Sequence, residues 1–257
     1  MLTLLAPSKS LDTSGTDLNG ASLPRLLNDT AALVRIMRKM SLKKLGQLMS
    51  MSPILTKLNK ERFIQFSEEC TEENSKQAIL AFQGGVYLGL NAETMSFADL
   101  QWAQNHVRIL SGLYGVLRPN DLMQSYRLEM GTSLTTKRGN GLYAWWGEKI
   151  TNLLNEDLDE LGSKIIFNLA SKEYFKSVKT ANLSAEVYSA NFFELRNGDY
   201  KFISFTAKKA RGLLCRHIID QRIDRPEDVK GFTEDGFRYL KKLSSDREFI
   251  FVKNGPV

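Results

Sequence analysis

Short apolar runs alternate with stretches in which apolar residues recur every three to four positions. That alternation predicts strands interleaved with amphipathic helices. Leu2 to Leu5 reads as a first strand, followed by a Ser-, Thr-, Gly- and Asp-rich loop out to Ser22. Pro24, after Ser22 as a candidate cap, opens a helix running to about Met40. Ser41 caps a short helix with Leu42, Leu45, Leu48 and Met49, and Ser52-Pro53 opens another with Ile54, Leu55, Leu58, Phe63 and Phe66 available for packing. The acidic stretch at residues 68–73 reads as a solvated connection, followed by a helix over residues 75–82 and a Gly84-Gly85 turn. Residues 106–110 and 164–169 are strand candidates, residues 142–161 one long amphipathic helix, and Ser171 the cap of a short one. Strands at 186–195 and 200–205 flank Asn197-Gly198, a strong hairpin signal. A helix at 207–222 and a last strand at 248–252 complete the pattern. The expected fold class is mixed α/β: a central mixed sheet flanked by helices, with a helical insertion near residues 24–80. The chain, residues 1–257, is expected to form a single domain, with a helical hairpin sub-region at about 35–66.

Composition adds exclusions. No apolar run approaches the length of a bilayer span, and Met1 to Pro7 lacks the basic start of a signal peptide, so no membrane is expected as a partner. Cys70 and Cys215 belong to no CxxC or Cys/His cluster, and His106 and His217 are the only histidines. No metal site and no cofactor are therefore expected, and two free thiols suit a reducing, cytoplasmic setting.

Charge changes the picture more. The net charge is +6, but it is segregated. Residues 35–62 carry Arg35, Arg38, Lys39, Lys43, Lys44, Lys57, Lys60 and Arg62 against Glu61 alone, a local +7. Residues 201–222 carry Lys201, Lys208, Lys209, Arg211, Arg216 and Arg222 against Asp220, a local +5. The remainder is net negative, so two segments carry the whole excess. Such segregation attracts polyanions, although each segment also reads as a solvated helix face.

Three predicted strands run into a hydroxyl and a lysine: Ser8-Lys9-Ser10, Asn168 with Ser171-Lys172, and Thr206 with Lys208-Lys209-Arg211. Ligands of α/β sheets bind beyond the carboxyl ends of strands, so these ends are expected to converge on one anion site. A plain cap and a solvated lysine explain any one of them; their recurrence points to a site. In the last helix Gly212 sits among the basic residues, where it suits close approach of a phosphodiester. His217, on the apolar stripe of that helix, reads as half-buried rather than catalytic. Ser41 to Phe66 resembles a helix-hairpin-helix without its usual Gly-x-Gly, with Lys43, Lys44, Lys57 and Lys60 around the connection. Between 106 and 131, Ser111, Tyr114, Arg118 and Arg127 lie on a glycine-bearing stretch after a strand and read either as a site-lining loop or as an ordinary turn, with Arg127 paired to Glu129. Trp145 and Trp146 read as core packing before base stacking. No Walker loop, G-x-G-x-x-G or nucleophile–base motif occurs.

Several of these stretches together resemble the bacterial YaaA family of peroxide stress proteins. They are Ala6-Pro7-Ser8-Lys9-Ser10-Leu11-Asp12, residues 110–123 (Leu-Ser-Gly-Leu-Tyr-Gly-Val-Leu-Arg-Pro-Asn-Asp-Leu-Met), Tyr126-Arg127-Leu128-Glu129-Met130-Gly131, residues 168–177 and residues 207–213. The resemblance runs essentially end to end. It implies a cytoplasmic α/β protein with a basic cleft, a helix-hairpin-helix element and DNA-binding ability, one that limits free iron and oxidative DNA damage under hydrogen peroxide. It supplies no catalytic residues. The combined expectation is a monomeric, non-enzymatic, largely sequence-independent DNA binder. Its contacts would be Lys9, Lys43, Lys44, Lys57, Lys60, Arg118, Arg127, Lys172, Lys208, Lys209, Arg211 and Arg216, with Ser8, Ser111, Tyr114, Asn168 and Ser171 lining an anion pocket. The alternative is an enzyme acting on a nucleotide or other phosphorylated small molecule in a strand-end pocket. An iron-binding protein is disfavoured for want of ligands.

Overall fold

Leu2–Leu5 (β1) is buried at every position, as a strand covered on both faces must be. In the computed structural model, which describes residues 1–12, 14 and 20–255, it lies at the centre of an eight-stranded sheet. Residues 13 and 15–19 of the predicted Ser/Thr/Gly/Asp loop after β1 lie outside the described residues, and within that loop Ser10 and Leu11 pair with Gln83 and Phe82. The other strands are β2 (Val107–Ser111), β3 (Gly115–Leu117), β4 (Ile165–Asn168), β5 (Glu186–Arg196), β6 (Asp199–Lys201), β7 (Phe237–Tyr239) and β8 (Glu248–Lys253). Their order is β7-β8-β5-β4-β1-β2-β3, with β6 paired to β5. β2, β1, β4, β5 and β8 are mutually parallel, whereas β3, β6 and β7 are antiparallel partners added by hairpins or at an edge. The sheet is therefore mixed and flanked by helices, as the alternation of patterns predicts.

Counted alone, the parallel strands have the order 2-1-3-4-5. The chain leaves β1 for β2 on one side and then crosses back to β4 on the other. The carboxyl ends of β1 and β4 thus flank the point where the winding reverses, the position at which doubly wound sheets bind ligands.

The helical insertion connects β1 to β2. It holds α1 (Leu27–Lys39), α2 (Leu42–Met49), α3 (Pro53–Gln65), α4 (Gly85–Leu90) and α5 (Phe97–His106). Ser41 and Ser52 cap α2 and α3 as predicted, their hydroxyls accepting from the Lys44 and Leu55 amides. α1 starts later than predicted. Ser22 does not cap it but donates to Asp121 at 2.6 Å, and Pro24 stays outside the helix. The helix predicted over 75–82 shrinks to Ala78–Ala81, with two-residue strands on either side. The Gly84-Gly85 turn opens α4, and α5 appears in a region with no predicted helix, opened by a Ser96/Asp99 capping box.

Beyond the insertion come α6 (Lys149–Glu160), α7 (Lys172–Phe175) and α8 (Ser204–Asp220). The long helix predicted at 142–161 is broken: Gly147, at φ 52° and ψ −118°, separates Leu142–Trp146 from α6. The strand expected at 200–205 ends at Lys201, and α8 begins at Ser204. A buried ion pair fastens the frame. Asp157 of α6 accepts from Arg108 of β2 at 2.7 and 2.8 Å and from Arg25 at 2.8 and 2.9 Å. Burial alone would raise its carboxyl pKa, but the two guanidiniums outweigh it and hold the group below its ordinary value. Among the described residues no helix is long and apolar enough to cross a membrane.

Candidate functional site

The loop after β1 and the segment after β4 meet where the sheet's winding reverses. With α8 they enclose a cavity of about 410 Å³. Ser8 and Lys9 come from the first loop, Ser171 and Tyr174 from the second, and Lys208 and Arg211 from α8. The expected convergence is therefore seen for three groups of residues, with one difference of geometry. Lys208 and Arg211 arrive from the side of a helix, because β6 is too short to reach the cavity and runs antiparallel. Gly84 lets the walls close. Its φ of 100° suits glycine, and a Cβ there would lie 2.9 Å from Ser8 Oγ.

Two carboxylates, Glu129 and Glu173, also line the cavity. Glu129 pairs with Lys9 at 2.8 Å and with Arg127 at 3.4 Å. Glu173 accepts from the Gly131 amide at 2.9 Å. Ser8 accepts from Ser10 N–H and Ser171 from Tyr174 N–H, so both hydroxyls still have a proton to donate. Arg211 differs from the other cations. It is half-buried, its Nε is inaccessible, and it makes no hydrogen bond or ion pair among the described residues. Burial lowers its pKa from the ordinary arginine value, and burial also pushes the Tyr174 phenol up.

Several predicted contacts lie elsewhere. Ser111 is fully buried; it shares a 2.6 Å hydrogen bond with Tyr126 and accepts from the Tyr114 amide. Tyr114 is 1% exposed, and its hydroxyl accepts from the Gln124 amide. Both belong to the core under the β2–β3 hairpin rather than to an anion pocket. Arg118 is locked onto Asp121 and the Leu23 carbonyl. Arg216 is held by Asp220, the Asn91 carbonyl and Thr94. Asn168 turns back on the Ala170 amide, and Lys172 is exposed at the start of α7; neither is among the residues lining the cavity. Lys209 reaches Asp235 at 3.6 Å. Gly212 does not face a ligand: a Cβ would sit 1.8 Å from the Val86 carbonyl oxygen, because α8 packs backbone to backbone on α4. Trp146 is core, its indole donating to the Gly112 carbonyl, and Trp145 lies buried under Arg138. His217 is half-buried against Phe232, as expected.

The second basic surface is the α2–α3 hairpin. Lys43, Lys44 and Lys57 are exposed and have no carboxylate partner among the described residues. Lys60 is different: its ammonium donates to the Arg38 and Met40 carbonyls and so caps the end of α1. Ile54, Leu55 and Leu58, expected to pack, are exposed, Ile54 by 82%. The inward contacts come instead from Leu45, Met49 and Phe63.

The chain matches the family described as peroxide stress protein YaaA over residues 1–243. The chain belongs to the YaaA family. Among curated relatives, a UPF0246 protein of Burkholderia thailandensis is 47% identical, and one of Paraburkholderia phytofirmans 46%, each over 98% of both chains. Within this YaaA-family chain, sequence reasoning treats Glu129 only as a partner for Arg127 and gives Glu173 and Tyr174 no role. The one available signal is position, since both 173 and 174 follow the Ser171 cap after β4. Among the described residues no three His, Cys, Asp or Glu side chains cluster as a metal site would require.

Proposed function

We propose that this chain serves the peroxide stress response as a monomeric, cytoplasmic, non-enzymatic DNA-binding protein that helps limit free iron and oxidative DNA damage. Binding is to the phosphate backbone through the α2–α3 hairpin, a helix-hairpin-helix-like element. One observation carries this reading: Lys43, Lys44 and Lys57 stand exposed and, among the described residues, unpaired around a tight connection between two capped helices. Free ammonium groups at a surface lose little on meeting phosphates and gain from counterion release. Lys9, Lys208 and Arg211 are a second, more enclosed cationic surface that supports the same reading.

The test is fluorescence anisotropy with a labelled duplex across a salt series. Affinity should fall steeply with salt and vary little with sequence. Reversing Lys43, Lys44 and Lys57 to Glu should weaken binding about 100-fold at low salt and flatten the salt slope. A variant that binds like the wild type would remove the hairpin from the interface.

A second reading is favoured by the position of the cavity at the winding reversal and by its opposed charges. In it, the cavity takes a phosphorylated small molecule on which the protein acts.

A further inference from the structure

The cavity between the β1 and β4 ends holds more chemistry than a phosphate backbone uses. Three cations line it, Lys9, Lys208 and Arg211, against two carboxylates, Glu129 and Glu173. Glu129 is shared by Lys9 and Arg127, which leaves Lys208 and Arg211 without protein counter-ions among the described residues. A half-buried guanidinium with no hydrogen-bond partner among the described residues is costly, and Arg211 lies on the cavity wall, where an anion meets it. A phosphomonoester, carrying about −1.5 to −2 near neutral pH, matches that excess. The two carboxylates lessen the attraction for a continuous run of phosphates, and they suit the N–H and O–H donors of a ligand body. At about 410 Å³ the cavity is larger than a phosphate ion needs and lies in the range of small-ligand sites, roughly 300–1,000 Å³. Tyr174, Val86 and Pro7 give it an apolar and aromatic share of wall.

We propose that this cavity is a nucleoside monophosphate site, in which Arg211, Lys208, Ser8 and Ser171 take the phosphate and Glu129 and Glu173 accept from amino or hydroxyl groups of the base and sugar. The assignment deepens the small-molecule reading and is independent of DNA binding at the hairpin. The same chemistry is offered by a free nucleotide and by the 5′-phosphorylated end of a nucleic-acid strand.

Calorimetric titration of the full chain tests it. The ligands are AMP, GMP, CMP and TMP, the matching nucleosides, inorganic phosphate, ribose 5-phosphate, and a trinucleotide with and without a 5′-phosphate. At least one monophosphate should bind in the micromolar range, ten times or more tighter than its nucleoside, inorganic phosphate or ribose 5-phosphate. Arg211→Gln should weaken it at least tenfold. Lys208→Glu, at an exposed position that leaves the fold intact, should do the same and covers the case in which Arg211→Gln fails to fold. The Lys43/Lys44/Lys57→Glu variant should bind the nucleotide unchanged. A trinucleotide that competes only when 5′-phosphorylated identifies a strand end as the source; competition by the free nucleotide alone identifies a metabolite. Equal binding of ribose 5-phosphate and nucleotides would overturn the nucleoside assignment while keeping a phosphate-ester pocket. No binding by any phosphate ester, or no effect of Lys208→Glu, would overturn both.

Discussion

The α2–α3 hairpin and the strand-end cavity are both basic in sequence, yet their charges stand in different states. On the hairpin, Lys43, Lys44 and Lys57 are solvated and have no partner among the described residues, beside exposed Ile54, Leu55 and Leu58. Around the cavity, Lys9 and Arg127 are tied to Glu129, and Arg211 is half-buried. Solvated cations act at long range and are screened by salt; enclosed, opposed charges act at short range and select shape. A count of Lys and Arg along the chain treats the two alike. The difference lies in which cations have already been used by the fold, and substitutions read that directly.

The largest expected effect is at the cavity's helical wall. Gly212→Ala would set a Cβ 1.8 Å from the Val86 carbonyl oxygen, backbone against backbone, with no side chain free to yield. Urea unfolding should show a loss of about 3 kcal/mol or more. A variant as stable as the wild type would mean that Gly212 faces open space, and the helix would then offer its glycine to a ligand after all. Next is Lys60, the hairpin cation already in use. Lys60→Met removes the charged donor from the Arg38 and Met40 carbonyls and should cost about 2 kcal/mol of stability, while DNA affinity measured on folded protein moves far less than for Lys43, Lys44 and Lys57.

Smaller again is an acid effect on the cavity side. Asp12, just past the cavity loop, accepts from Lys76 at 2.5 Å and from the Ser14 amide, and these bonds hold its pKa at about 2. A carboxyl depressed in the folded state stabilises above its unfolded pKa and loses that contribution as pH falls through the folded value. The urea midpoint of the wild type should therefore drop between about pH 4 and 2, and the drop should shrink in Asp12→Asn. Solvent exposure keeps the contribution to about 1 kcal/mol or less. An unchanged midpoint profile in Asp12→Asn would show that the Lys76 contact adds nothing.

Local signals made much of the fold readable. The largely apolar run of β1, the Ser41, Ser52 and Ser171 caps and the Asn197-Gly198 turn each depend on neighbours a few residues away, and each is found where the pattern puts it. α5 carried a readable cap in Ser96 and Asp99, but its weak amphipathicity hid it. α4 could not be read from propensity, since Gly85 and Gly89 oppose a helix and are there for packing on α8. The candidate site was half readable for the same reason. Hydroxyls and lysines after strands mark the cavity, but partners that decide which cations stay available are remote: Glu129 for Lys9, the Leu23 carbonyl for Arg118, the Arg38 carbonyl for Lys60. Ser111 and Tyr114 looked like loop residues because their stretch is rich in glycine. Gly112 in fact lets the hairpin press against the Leu128 backbone, which buries both.

The smallest expected effect is at Arg216, which sharpens the comparison from outside both regions. It lies on α8 with Lys208 and Arg211 and adds to the same local +5, so a charge count ranks it with them. Its guanidinium is spent on Asp220 one turn away, on the Asn91 carbonyl and on Thr94 Oγ1 at 2.7 Å. The pair with Asp220 is neutral overall and partly exposed, so it adds little field and little stability. Arg216→Ala should therefore change DNA affinity less than twofold, leave nucleotide binding as in the wild type, and cost under about 1 kcal/mol in urea unfolding. Anisotropy and calorimetry on that one variant suffice. A loss of affinity matching Lys208→Glu would mean that charge alone, whatever its partners, sets binding along α8, and the distinction between tied and available cations would fail.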